Sequence, residues 1–233
     1  MKYRQDFRQK QALFTLEGVN TIWGTIVDDA ALMTLPKHYE VSAMDSDAFF
    51  LLVRGSLRLS CLAEDGQERT VMRLGSGTLF NEVAQLHLSP MHAYSMHTLE
   101  ECEVAKFPKS LLDDEEFYRT HPALIRNLVQ SIGIKAGAFF SQLFDSNLLE
   151  VHGRVCRSLY QLWKESGESP AFRPNISQGE LATMLGVHRS SLCRVVHSLR
   201  EKGIVGKFSK TRLEIFNPDL LRTAAGEVFP HKF

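Results

Sequence analysis

The chain has 233 residues, is 44% hydrophobic and carries 27 Lys/Arg against 27 Asp/Glu, enough length for one large domain or two smaller ones with proper cores. No apolar run approaches the ~20 residues that span a bilayer. The charged start "MKYRQDFRQKQALF" lacks a signal-peptide core, so a cytoplasmic protein without a membrane partner is expected.

The neutral total conceals a segregation. Residues 147–233 hold 13 Lys/Arg against 8 Asp/Glu, and residues 1–146 hold 14 against 19. A basic C-terminal third on an acidic remainder suits a polyanion-binding module joined to something else. Cys61, Cys102, Cys156 and Cys193 lie far apart with no C-x-x-C pair. They read as free thiols, and their spacing argues against zinc and against a cysteine-clustered Fe–S centre.

The first ~20 residues read as a short helix and an irregular lead-in. From about residue 20 to 108 the pattern is mostly strand-like. "FFLLVRGSLRLSCLAEDGQERTVMRL" breaks at Gly55 and at Asp65-Gly66, a hairpin signal. In "SLRLSCL" the alternation sets Leu57, Leu59 and Cys61 on one face and Arg58, Ser60 and Leu62 on the other. "HAYSMHTLEECEVAKFP" adds two short strands, and the spacing of strands and turns predicts a sandwich or barrel-like roll. Asp113 to Glu116 then form an acidic helix entry.

After Pro122 the residues Leu124, Leu128, Ile132, Phe139 and Leu143 recur near helical spacing, with Ala136 between them. Ile125, Val129 and Phe140 widen the apolar set. Such a helix can form a dimer interface or pack on the N-terminal sheet. "FDSN", Phe144 to Asn147, reads as a hinge, and a second helix ends at Gly167.

In "ISQGELATMLGVHRSSLCRVVHSLREKGIV" Ser177 and Glu180 make a capping box. The helix they open buries Leu181, Met184 and Leu185, and Gly186 permits a left-handed turn. A second helix begins near His188 or Arg189 and buries Leu192, Val195, Val196 and Leu199. Two helices joined by such a turn are a helix-turn-helix unit. Its exposed stripe is Arg189, Ser190, Cys193, Arg194 and His197, and an arginine fork suits guanine O6 and N7 in the major groove. "IVGKFSKTRLEIFN" forms a wing exposing Lys207, Lys210 and Arg212. Gln178, His188 and Ser191 complete the candidate DNA-binding set.

With these parts in place the chain resembles the Crp/Fnr superfamily of bacterial transcription regulators, most specifically over "GELATMLGVHRSSLCRVVHSLREKGIV". The resemblance implies an α+β fold in three parts. These are an effector-sensing antiparallel β-roll of the jelly-roll kind over 1–120, a dimerisation helix and hinge over 121–146, and a winged helix-turn-helix over 147–233. It also implies a homodimer on a palindromic double-stranded operator, with RNA polymerase as a partner. Arg189 and Arg194 match the two arginines of the family's R-E-T-V-x-R pattern. Ser190 stands where an acidic residue often reads cytosine, and His188 stands where a capping serine is common.

The superfamily's cyclic-nucleotide members hold phosphate with a G-E pair and an R-S/T pair. Here Asn81-Glu82 and His92-Ala93 fall on those positions, and an imidazole has neither the fixed charge nor the fork. Phe139 and Phe140 fall where those members use small hydroxyl residues. These departures argue against a cyclic nucleotide. A pocket of Leu79, Phe80, Tyr94, Phe139 and Phe140, with polar contacts from Asn81, Glu82 or His92, suits a small apolar or aromatic effector. The bland alternative is that the phenylalanines only pack the core. Haem is the competing cofactor, with His38, His87, His92, His97 and Cys61 as candidate ligands and no C-x-x-C-H attachment motif. A roll whose C-terminal domain binds protein is a further alternative. No Gly-rich phosphate loop, G-x-S-x-G or H-E-x-x-H points to an enzyme.

Overall fold

The computed structural model describes residues 10–12, 15–41, 47–62, 68–86 and 94–226. The chain forms two compact units, residues 1–139 and 140–233. No helix among the described residues is long and apolar enough to cross a membrane.

The first unit is built on two sheets. One has the order β1 (Lys10–Ala12), β2 (Thr15–Glu17), β6 (Glu68–Gly75), β5 (Ser56–Leu62), β8 (Tyr94–Thr98). The other runs β3 (Ala31–Leu35), β9 (Cys102–Pro108), β4 (Ala48–Arg54), β7 (Thr78–Phe80). The unbroken apolar run of β4 follows from burial on both faces. Phe50 and Leu52 join Leu57, Met72, Leu74, Met96 and Val104 in the cluster between the sheets. Phe49 and Leu51 join Trp23, Ala105, Phe107, Phe117, Leu124 and Leu128 in a second cluster. Trp23, fully buried, meets Phe49 edge-on at 5.5 Å and Phe107 at 5.6 Å.

The lead-in departs from expectation. Residues 10–12 and 15–17 are strands rather than helix, and Thr21–Asp29 is a 3-10 helix. β2 is held by parallel pairing to β6, Thr15 opposite Arg73, a long-range pairing that local propensity does not encode. The Asp65-Gly66 turn lies outside the described residues, while the flanking β5 and β6 pair antiparallel.

Short helices α1 (Glu82–Leu86) and α2 (Glu115–Thr120) precede the long α3 (Pro122–Leu148). Asp114 caps α2 by accepting from the Glu116 and Phe117 N–H groups. The hinge expected at Phe144–Asn147 is helical, and α3 runs on to Leu148 before α4 (Val151–Glu165) begins. That stretch contains neither Gly nor Pro. Ser146 Oγ bonds back to Leu143 O at 3.0 Å, and Asp145 pairs with Arg157 of α4 at 2.6 Å.

The apolar set of α3 splits into two faces. Leu124 and Leu128 are buried within the first unit, and Ile132 packs on the same cluster. Of the residues expected in a dimer seam, Leu124 and Leu128 are thus covered by their own unit, and Ile132 is half-buried. Val129, Phe139, Phe140 and Leu143 stay exposed.

The second unit comprises α4, β10 (Ala171–Phe172), α5 (Gln178–Leu185), α6 (Arg189–Glu201), β11 (Val205–Ser209), β12 (Arg212–Ile215) and α7 (Pro218–Ala224). The strands form a sheet of order β10-β12-β11. All four cysteines are free thiols, and burial pushes Cys156 up to about 11 against the nearby Lys202 charge.

Candidate nucleic-acid interface and effector region

The capping box at the start of α5 is complete. Ser177 Oγ accepts from the Glu180 N–H at 3.2 Å, and Glu180 Oε2 accepts from the Ser177 N–H at 2.8 Å. Gly186, at φ 61°, ends the helix in the left-handed conformation. His188 supplies no side-chain cap to α6. Leu192, Val196 and Leu199 are buried. Val195, expected in that core, is only half-buried, because it sits roughly 60° around the helix from Leu192.

His188 at the N-cap and Arg189, Ser190, Arg194 and His197 on α6 are exposed, and Ser191 and Cys193 are half-buried. Arg194 Nη2 donates to Ser191 Oγ at 3.2 Å, and His197 Nε2 lies 3.4 Å from Glu201. Gln178 is half-buried, and its amide bonds within the unit to Phe208 O and the Cys193 thiol. On the wing, Lys207, Lys210 and Arg212 are all exposed. Lys210 reaches Glu180 at 3.3 Å, and Arg212 Nε reaches Glu214 at 2.7 Å. The Lys207 N–H, and after it the Arg212 side chain, hold the Glu214 carboxyl below its ordinary range. Two wing cations are thus shared with acids, whereas Lys207 engages Glu214 through its backbone N–H. Lys207→Ala should weaken operator and random DNA alike and shallow the salt dependence by about one unit. An unchanged slope in salt titrations would take Lys207 off the phosphate backbone.

The residues expected to form one effector pocket are dispersed. Phe80 stacks on Phe50 at 5.1 Å in the cluster between the sheets, and Tyr94 packs against that cluster. Leu79 belongs to the Trp23 cluster; neighbours on a strand point to opposite faces, so the two share no wall. Asn81, at φ 66°, donates through Nδ2 to Ala48 O at 2.8 Å. Phe139 and Phe140 are exposed, and His92 lies outside the described residues.

Glu82 is almost wholly buried and ion-pairs with Lys135 of α3, itself buried. Lys135 Nζ also donates to Leu79 O at 2.8 Å. The Leu79 N–H goes to Asn20 Oδ1 at 3.0 Å, and Asn20 Nδ2 donates to Asn127 Oδ1 of α3 at 2.8 Å. Side chains of α3 therefore reach both backbone groups of Leu79, one directly and one through Asn20. Sequence reasoning missed Lys135. Its signal is present, as the one charge between Arg126 and Asp145 in an otherwise uncharged stretch.

The described candidate haem ligands do not converge. His38 and Cys61 are exposed. His97 alternates with Met96, which faces the inter-sheet cluster, so it lies on the opposite face of β8. His87 and His92 lie outside the described residues. Among the described residues no group of three or more His, Cys, Asp or Glu could hold a metal ion.

A two-sheet roll, a long helix and a winged helix-turn-helix with an arginine-bearing outer face define a DNA-reading regulator with a sensor domain. Residues 153–224 match the model of the Crp-like helix-turn-helix domain, and residues 25–115 match that of the cyclic nucleotide-binding domain. The Cyclic AMP receptor protein of Thermus thermophilus is 30% identical over 158 residues, 68% of this chain and 70% of that protein. In fold, the chain is similar to OCPA-complexed CprK, with TM-score 0.71, 19% identity and coverage of 84% of this chain and 92% of that one. A CooA mutant from Carboxydothermus hydrogenoformans gives TM-score 0.74 at 15% identity, covering 94% and 98%. The chain belongs to the Crp/Fnr superfamily of transcription regulators. It carries that family's effector-binding and helix-turn-helix DNA-binding domains.

Proposed function

We propose that the protein is an effector-responsive homodimer that reads a palindromic operator and does not respond to cyclic AMP. The observation that carries the dimer is the uncovered seam of α3. Val129, Gly133, Ala136, Phe140 and Leu143 follow one another at steps of four and three, the spacing of a coiled-coil seam. Val129, Phe140 and Leu143 are exposed, at 64%, 73% and 57%. A Cβ added at Gly133 or Gly137 would meet nothing within 4 Å, which leaves room for a second helix. In such a dimer the paired α6 helices would address half-sites about one DNA turn apart.

Two features support an effector other than a cyclic nucleotide. Glu82 is already satisfied by Lys135, and His92-Ala93 replaces the arginine–hydroxyl clamp. Phe50, stacked on Phe80, and Met72 and Met96 fill the space between the sheets with closely packed apolar side chains, so a ligand admitted there would itself be apolar or aromatic. Sedimentation and a cyclic AMP titration of the full chain test the proposal together. The wild type should sediment as a dimer, Phe140→Glu as a monomer with operator affinity lost, and cyclic AMP should leave both melting temperature and operator affinity unchanged. A monomeric wild type, or a rise in operator affinity with cyclic AMP, would overturn it.

A further inference from the structure

Gln178 opens α5, and its side-chain amide has a partner on each side. Nε2 donates to Phe208 O of wing strand β11 at 2.9 Å. Oε1 accepts from Cys193 Sγ of recognition helix α6 at 3.2 Å. A carbonyl can only accept, so the NH2 must face Phe208, and the oxygen is left for the S–H donor beside it. The two partners thus fix the orientation of the amide and join three elements through one side chain. Around it, Lys210 of the wing reaches Glu180 at 3.3 Å, and Arg200 Nε of α6 donates to Gly206 O of β11 at 2.7 Å.

We propose that Gln178 is a positioning residue for DNA recognition: through Cys193 and Phe208 it sets the register between the base-facing stripe of α6 and the phosphate-facing wing. This rests on α6 and the wing both facing DNA. Base and phosphate contacts must be made at once, and supporting side chains must hold such a constellation to about 0.5 Å. Without the amide, the wing still meets phosphates but no longer at the spacing that suits Arg189 and Arg194. Non-specific binding is tolerant of that slack, whereas sequence reading is not.

The test uses a duplex selected from a random library by the full wild-type chain, and a scrambled duplex of equal length, with affinities read across a salt series. Gln178→Ala and Cys193→Ala should each cut the preference for the selected duplex by about threefold to tenfold, the range for one or two modest hydrogen bonds. The loss on scrambled DNA should be smaller than on the selected duplex, and its salt slope should not change, because neither side chain carries a charge. Cys193→Ser keeps a donor and should restore the preference. If Gln178→Ala weakens both duplexes alike, the side chain is itself a phosphate contact and the proposal fails. It also fails if serine behaves like alanine at 193, or if every variant keeps full preference. A wild-type chain that selects no sequence would instead overturn the DNA-reading assignment, and the proposal with it.

Discussion

Lys135→Met should be the most damaging single substitution in the sensor unit, lowering stability by about 3–5 kcal/mol. The magnitude comes from what is left behind. Glu82 is 1% exposed, and an uncompensated carboxylate at that depth has neither water nor a cation. Leu79 O loses its donor as well. In thermal denaturation the loss corresponds to a melting temperature lower by on the order of 10 °C. Adding Glu82→Gln should return much of it, because the remaining defect is an unpaired amide rather than a buried charge. A double variant no more stable than Lys135→Met would show that the ion pair is not the source. The same pair ties α1 and β7 to α3, so partial rescue should appear in operator binding too.

Arg189→Ala should remove discrimination at one base pair of each half-site, costing about 1–3 kcal/mol on the selected operator and almost nothing on random DNA. Arg189 stands exposed in the first turn of α6, where recognition helices contact base edges. Competition binding against all four bases at each operator position measures it directly. Equal weakening on operator and random duplexes would assign Arg189 to the phosphate backbone. Ser190 carries no carboxylate to select cytosine, so the selected operator should tolerate substitution beside the Arg189 contact.

Local chemistry is the legible part of the sequence. The Ser177–Glu180 box, the Gly186 turn and the basic wing depend on residues a few positions apart, and each stands where its spacing requires. The departures come from surfaces that composition alone cannot separate. α3 is apolar on two faces, and Leu124 and Val129 look equivalent until helical angle divides them into a covered set and an uncovered one. Leu79 and Phe80 are adjacent and read as one pocket wall, although strand alternation sends them apart. "FDSN" is polar enough for a hinge, but polarity without Gly or Pro does not stop a helix. Strand β2 and the Lys135–Glu82 pair both join distant stretches of chain, where single-sequence patterning has least to offer.

β7 closes the four-stranded sheet at one end, with β4 as its only strand partner among the described residues. The outward N–H and C=O of an edge strand invite pairing with any extended chain that passes. Here the central residue of a three-residue strand has both groups taken, the N–H by Asn20 and the C=O by Lys135. The contacts that fasten the strand to the long helix therefore also blunt the edge, so a partly unfolded neighbour finds no template at Leu79. Lys135→Met would reopen one of those positions, and the variant should aggregate on heating at protein concentrations where the wild type stays clear.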